Sequence, residues 1–140
     1  MNTDNHDILE ILKHYKKFTV YGLSSNSEKP AQTVPVFMRS KGYEIAGVNP
    51  QGEEIAGFPI YTNLASVPPE FRTMVDVFQR PERIPEIVEE VLKLGGVEVL
   101  WLQKGITHPE AEARAEAAGI KVVSDRCLYI EYERCASDLK

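Results

Sequence analysis

The sequence predicts an α/β domain: a parallel sheet of about five strands with helices on both faces. Three observations predict it. Short β-branched or aromatic runs alternate with longer segments whose apolar residues recur at helical spacing along nearly the whole chain. Glycines stand where these segments should end, at 22, 42, 95–96 and 119. The 140 residues suit a single domain around one hydrophobic core.

Ile8, Ile11, Leu12 and Tyr15 mark a first amphipathic helix. Asp4 or Asn5 can cap it, and Lys16 and Lys17 suit its C-terminal end. Residues 18–23 form a buried strand that turns at Gly22. A polar loop over 24–28 leads into a helix over 31–41, with Val34, Phe37 and Met38 on one face. Pro35 is placed in its first turn, where a missing N–H matters least. Residues 43–49 are the second strand, stopped by Pro50. The stretch 51–69 is a long connection with a short extended piece at 59–61 and a helical turn near Leu64. Residues 73–78 are the next strand. Ile84, Ile87, Val88, Val91 and Leu92 mark a helix closed by Gly95 and Gly96, and 97–102 is another strand. Over 107–118, Thr107 and Glu110 have the spacing of a capping box, while Ala111, Ala115 and Ala118 offer a flat face to a sheet. Residues 120–124 are the last strand and 128–134 the last helix, with Leu128 and Tyr132 inward. The order is Rossmann-like, with right-handed crossovers. No repeat, low-complexity tract or linker divides residues 1–140, so a single domain is expected.

A formal net charge of −5 argues against bulk attraction to nucleic acid or an anionic membrane surface. No apolar run approaches the ~20 residues of a bilayer span. Residues 1–10 lack a signal-peptide pattern, so a cytoplasmic location is expected. Cys127 and Cys135 match neither a CxxC pair nor a zinc motif, and reduced thiols with no metal site are expected. A homo-oligomer is compatible with the sequence.

In an open parallel sheet, ligands bind beyond the carboxyl ends of the strands. Gly22, Leu23, Ser24, Ser25, Lys29 and Pro30 follow the first strand there. A glycine for close backbone approach, serine hydroxyls, a lysine and a helix N-terminus together suit a diphosphate. Asn49 and Pro50 follow the second strand. Phe78, suited to lie against a purine, and Arg80, suited to pair with a phosphate, follow the third. Gln103 and Gly105 follow the fourth. A dinucleotide fingerprint would need glycines where Ser24 and Ser27 stand. It would also need an acid at the end of the second strand, where Val48 and Asn49 stand, so an NAD(P)-binding oxidoreductase domain is the weaker alternative.

These motifs resemble the small CoA-binding proteins related to the CoA-binding domain of succinyl-CoA ligase α subunits and ADP-forming acyl-CoA synthetases. The matching residues are Gly22-Leu23-Ser24, Lys29-Pro30, Gly42-Tyr43, Val48-Asn49-Pro50, Asp76-Val77-Phe78 and Arg80-Pro81-Glu82. The match continues with Trp101-Leu102-Gln103, Gly105-Ile106, His108-Pro109-Glu110 and Asp125-Arg126-Cys127-Leu128. The resemblance implies bound coenzyme A or an acyl-CoA, with the diphosphate over Gly22, Ser24 and Ser25 and Lys29 neutralising charge. It implies adenosine near Asn49, Pro50, Phe78 and Arg80, and the pantetheine arm toward Gln103 and Gly105. An arginine would be expected where Gln79 stands, so either that contact is weakened or Arg80 supplies it.

The related ligases carry a phosphohistidine on a separate domain, which leaves a second alternative: the CoA-binding subunit of a split acyl-CoA ligase. In this chain His6 and His14 lie in the first helix and His108 starts another. None belongs to a Ser-His-Asp or HExxH arrangement, and no complete catalytic apparatus is expected. Cys127, on the ligand-facing edge beside Arg126, is the candidate reactive thiol, because a neighbouring guanidinium favours a thiolate. Its bland alternative is an inert cysteine at a helix start.

Overall fold

The computed structural model describes residues 5–139. Its strands are β1 (Lys17–Tyr21), β2 (Glu44–Val48), β3 (Ile60–Tyr61), β4 (Met74–Val77), β5 (Val99–Leu102) and β6 (Lys121–Val123). Its helices are α1 (Asn5–His14), α2 (Pro30–Ser40), α3 (Ile84–Leu94), α4 (Pro109–Ala117) and α5 (Leu128–Cys135). The cap expected at Asp4 or Asn5, and the side chain of His6, lie outside what is described.

The strands form one parallel sheet in the order β3-β2-β1-β4-β5-β6. Among the described residues the sheet has six strands, in keeping with the parallel sheet of about five that the sequence predicts. The short extended piece near 59–61 joins the edge, because Gly47 N–H donates to the Pro59 carbonyl at 2.9 Å and Asn49 N–H to Tyr61 at 3.0 Å. The chain winds outward from β1 to β3, then returns to lay β4 on the other side of β1. That reversal opens a crevice between the loops after β1 and β4.

Both faces of the sheet are covered, and the strand pleat divides its side chains between two cores. Val99 and Trp101 pack with α1, α2 and α5, alongside Ile8, Met38 and Leu128. Leu100 and Leu102 pack with α3 and α4, alongside Ile87, Val91 and Ala115. Trp101 is fully buried, and its indole N–H donates to the Arg126 carbonyl at 2.8 Å. Ala118, expected on the buried alanine face of α4, is exposed, and Glu112 is buried with Ala111 and Ala115 instead.

Two local expectations are corrected. First, α2 starts with Pro30 at its first turn, which places Pro35 in the second turn. Proline has no N–H for the Ala31 carbonyl four residues back. The Ser24 N–H bonds that carbonyl at 3.1 Å, so the missing helical bond becomes an anchor for the loop after β1. Second, the cap of α4 is His108, not Thr107. Pro109 takes the first helical position, where its φ is already suitable. His108 Nδ1 then accepts from Ala111 N–H at 3.2 Å, and Glu112 Oε2 accepts from His108 N–H at 2.7 Å. His108→Ala is therefore expected to destabilise the fold by about 1 kcal/mol, the scale of a lost cap. Urea denaturation reads this, and an unchanged midpoint would remove the capping role.

Candidate functional site

The loops after β1, β2, β4 and β5 meet the start of α5 around a cavity of about 820 Å3. Eleven of the twelve binding residues expected from sequence line it. Gly22, Leu23, Ser24, Ser25, Lys29 and Pro30 come from the loop after β1 and the start of α2; Asn49 and Pro50 follow β2. Phe78 and Arg80 follow β4, and Gln103 follows β5. Gly105 is not among the lining residues: its N–H is turned to Asp125 Oδ1 at 2.6 Å, tying the loops after β5 and β6 together. Cys127 lines the wall as the residue before α5; it is partly buried and a free thiol, as is buried Cys135.

The first loop is held by its own backbone. Gly22 adopts φ of +99°, and its N–H continues the sheet ladder to the Val48 carbonyl at 2.9 Å. A Cβ on Gly22 would run into the Phe78 carbonyl oxygen. The space that its missing side chain leaves is thus taken by the neighbouring loop, which brings the loops after β1 and β4 together. Ser24 Oγ accepts from Asn26 N–H at 3.0 Å, which leaves its own hydrogen available to a ligand. Gln32 Nε2 donates to the Ser24 carbonyl at 2.8 Å, pinning the loop to α2. Asn49 braces the wall from the other side: its Nδ2 donates to the Leu23 carbonyl at 3.0 Å and its Oδ1 accepts from Gln51 N–H at 2.9 Å.

The electrostatics of the wall differ from those of the whole chain. The net charge is −5, yet Lys29, Arg80 and Lys104 line the cavity, and no Asp or Glu is among the lining residues. Gln79 is a lining residue whose Oε1 accepts from Arg83 Nη1 at 2.9 Å, while Arg80 reaches the cavity wall. Phe78 is half-buried and packs on the α1/α2/α5 core, so it is at once a core residue and a cavity wall.

Beneath the wall lies Asp76, fully buried in β4. Burial pushes its carboxyl up to about 8, partly opposed by a 2.6 Å hydrogen bond from Gln103 Nε2 to Oδ1. Gln103 lines the cavity and accepts at Oε1 from Leu128 N–H at 3.3 Å.

Sequence reasoning counted Lys104 on the rim without singling it out, and missed Ala31 and Ile130 as wall residues. Lys104 lies between two residues already weighed. Ile130 stands three residues beyond Cys127 on α5, and its 47% exposure marks an apolar side chain left at the cavity's edge. Among the described residues no helix is long and apolar enough to cross a membrane.

Comparisons with known proteins bear on the family and the fold. The model of a family described as a CoA binding domain matches residues 16–133. An uncharacterized protein of Bacillus subtilis (strain 168), YneT, is 31% identical over 131 residues, covering 94% of this chain and 96% of that protein. A solved structure from Thermus thermophilus, cell-free ID.343, is 35% identical with a TM-score of 0.85, covering 94% of this chain and 98% of that one. Acetate–CoA ligase [ADP-forming] I of Archaeoglobus fulgidus is 26% identical over 129 residues, 86% of this chain but 19% of that enzyme. With a family model matched over most of its length, on a doubly wound parallel sheet, this chain belongs to the CoA-binding domain family.

Proposed function

We propose that the cavity binds coenzyme A or an acyl-CoA. The observation that carries this reading is a wall with three cations and no carboxylate on a chain of net charge −5. CoA carries about −4 from its three phosphates, so the ligand and the wall are complementary where the rest of the molecule is not. The diphosphate lies over the loop from Gly22 to Ser25 with Lys29 beside it. Adenosine lies among Asn49, Pro50, Phe78 and Arg80. Arg80 takes the phosphate contact that Gln79 lacks. The pantetheine arm runs toward Gln103, with Ile106 rather than Gly105 on the wall there.

Lys29→Ala is expected to weaken CoA by about 1–2 kcal/mol, the scale of one charge-assisted contact. Titration calorimetry measures it; unchanged affinity would remove Lys29 from the site. A thermal-shift comparison of CoA with NADH, NADPH and ATP tests the reading itself. A shift with the nicotinamide cofactors and none with CoA would overturn it.

A second reading follows from the ligase match, which spans about a fifth of that enzyme. Here the chain supplies the CoA site of an acyl-CoA ligase divided between polypeptides. A pull-down that recovers an ATP-dependent ligase subunit would favour it over a separate carrier or sensor.

A further inference from the structure

Asp76 sits in the middle of β4, paired in register with Val20 of β1 and Trp101 of β5. Neither neighbour offers its carboxyl a charge. Oδ1 accepts from Gln103 Nε2, and Oδ2 is buried with no hydrogen-bond partner. A buried carboxyl with an unpartnered oxygen is far costlier ionised than protonated. Gln103 is 4% exposed, and its other end receives the Leu128 N–H, the first residue of α5. One side chain thus joins the core carboxyl, the cavity wall and the start of the helix that follows Cys127 and carries Ile130 to that wall.

We infer that Asp76 is a positioning residue which, through Gln103, couples a proton in the core to occupation of the cavity by an anion. The inference rests on reading the cavity as the CoA site. With the uncharged pantetheine arm against Gln103, the ligand's phosphates lie elsewhere in the same cavity, over the loop after β1 and beside Arg80, and their negative charge disfavours the ionised form of Asp76 beneath the wall. Ligand and proton therefore favour each other, and the coupling is reciprocal. Protonated, Asp76 keeps Gln103 turned with its amide N–H toward β4 and its oxygen toward α5. Ionised, it competes with the ligand's negative charge. The other titratable groups facing this region are Lys29 at the start of α2, Arg80 after β4, Lys104 after β5 and Cys127 before α5. On α5 itself, Glu131 is tied to Arg126 and Arg134.

The test measures CoA affinity by calorimetry from pH 6.5 to 9.0 for the unaltered chain, Asp76→Asn and Cys127→Ser. Titration of CoA itself is common to all three. Beyond that common background, the unaltered chain is expected to lose about tenfold in affinity across the range, within the usual span of a coupling. It should also take up protons on binding near pH 8, measured in buffers of different ionisation enthalpy. Asp76→Asn should lose both effects and Cys127→Ser should keep both. An infrared band of a protonated carboxylic acid, present at pH 7 and missing in Asp76→Asn, supports the same assignment without ligand. Equal slopes with and without Asp76, a slope lost in Cys127→Ser, or no such infrared band would overturn the inference. CoA binding without the slope refutes it and leaves the CoA reading standing; no CoA binding at any pH removes that reading, and the inference with it.

Discussion

Asp76→Asn is expected to stabilise the fold by about 4 kcal/mol at pH 7, the largest effect of any single polar substitution considered. Burial raises the Asp76 carboxyl from 3.8 to about 8 in the native state. Between those two values the native chain holds a proton that the unfolded chain has released. The contribution of Asp76 is therefore fully present below about pH 4 and is lost progressively as pH rises through about 8. Above that it stays at its worst, because native and unfolded chains are then equally ionised. Asparagine carries no such charge, retains an oxygen for Gln103 Nε2, and mimics the protonated acid. Unfolding in urea at pH 5, 7 and 9 measures the difference, in which the other carboxylates largely cancel. The stability gap between variant and unaltered chain should widen from pH 5 to 9. A gap that stays constant, or an Asp76→Asn chain that is less stable at pH 7, would show that Asp76 is ionised and stabilised in the core. Retention of a buried acid that destabilises the fold is the kind of local conflict found at functional sites.

Gly22→Ala is expected to destabilise by about 3 kcal/mol, summing backbone strain and a steric clash. At φ of +99° an L side chain is strained, and its Cβ would meet a backbone carbonyl of Phe78, which cannot swing aside as a side chain can. Gly42→Ala provides the comparison. Its φ is +96°, but nothing lies within 4 Å of the added atom, so only the strain of about 1 kcal/mol applies there. Chemical denaturation of both variants separates the two contributions. Gly22→Ala should also weaken CoA by pushing the loops after β1 and β4 apart. Equal losses at the two positions would mean that Phe78 yields, and that Gly22 serves only its own turn.

The strand and helix order was legible in the sequence because each element announces itself within a few residues. Ile84, Ile87, Val88 and Val91 mark α3 by spacing alone, and all four are buried. The candidate cavity was nearly as legible, because a parallel α/β order places every strand's carboxyl end on one rim. Reading the residues after each strand therefore collected Lys29, Asn49, Phe78 and Gln103 from distant parts of the chain. The misses were matters of a residue or two, decided by a partner elsewhere. Pro35 falls in the second turn of α2 because the helix starts at Pro30, and is tolerated there because the Ser24 N–H satisfies the Ala31 carbonyl. The α4 cap moved to His108 because Pro109 occupies the first helical position. Gly105 left the cavity wall for Asp125, twenty residues on.

Asp76 is the deepest of these cases. Its sequence neighbourhood marks a strand and a motif, and nothing in it distinguishes a solvated acid from a buried one. Local pattern by itself determined the α/β class, the order of elements and the rim on which a ligand would bind, because hydrophobic period and turn chemistry act over a few residues. Only the tertiary structure decided that Asp76 is sealed between β1 and β5, joined to the cavity through Gln103 and raised toward neutrality. Burial and desolvation are set by groups that approach through space from far along the chain.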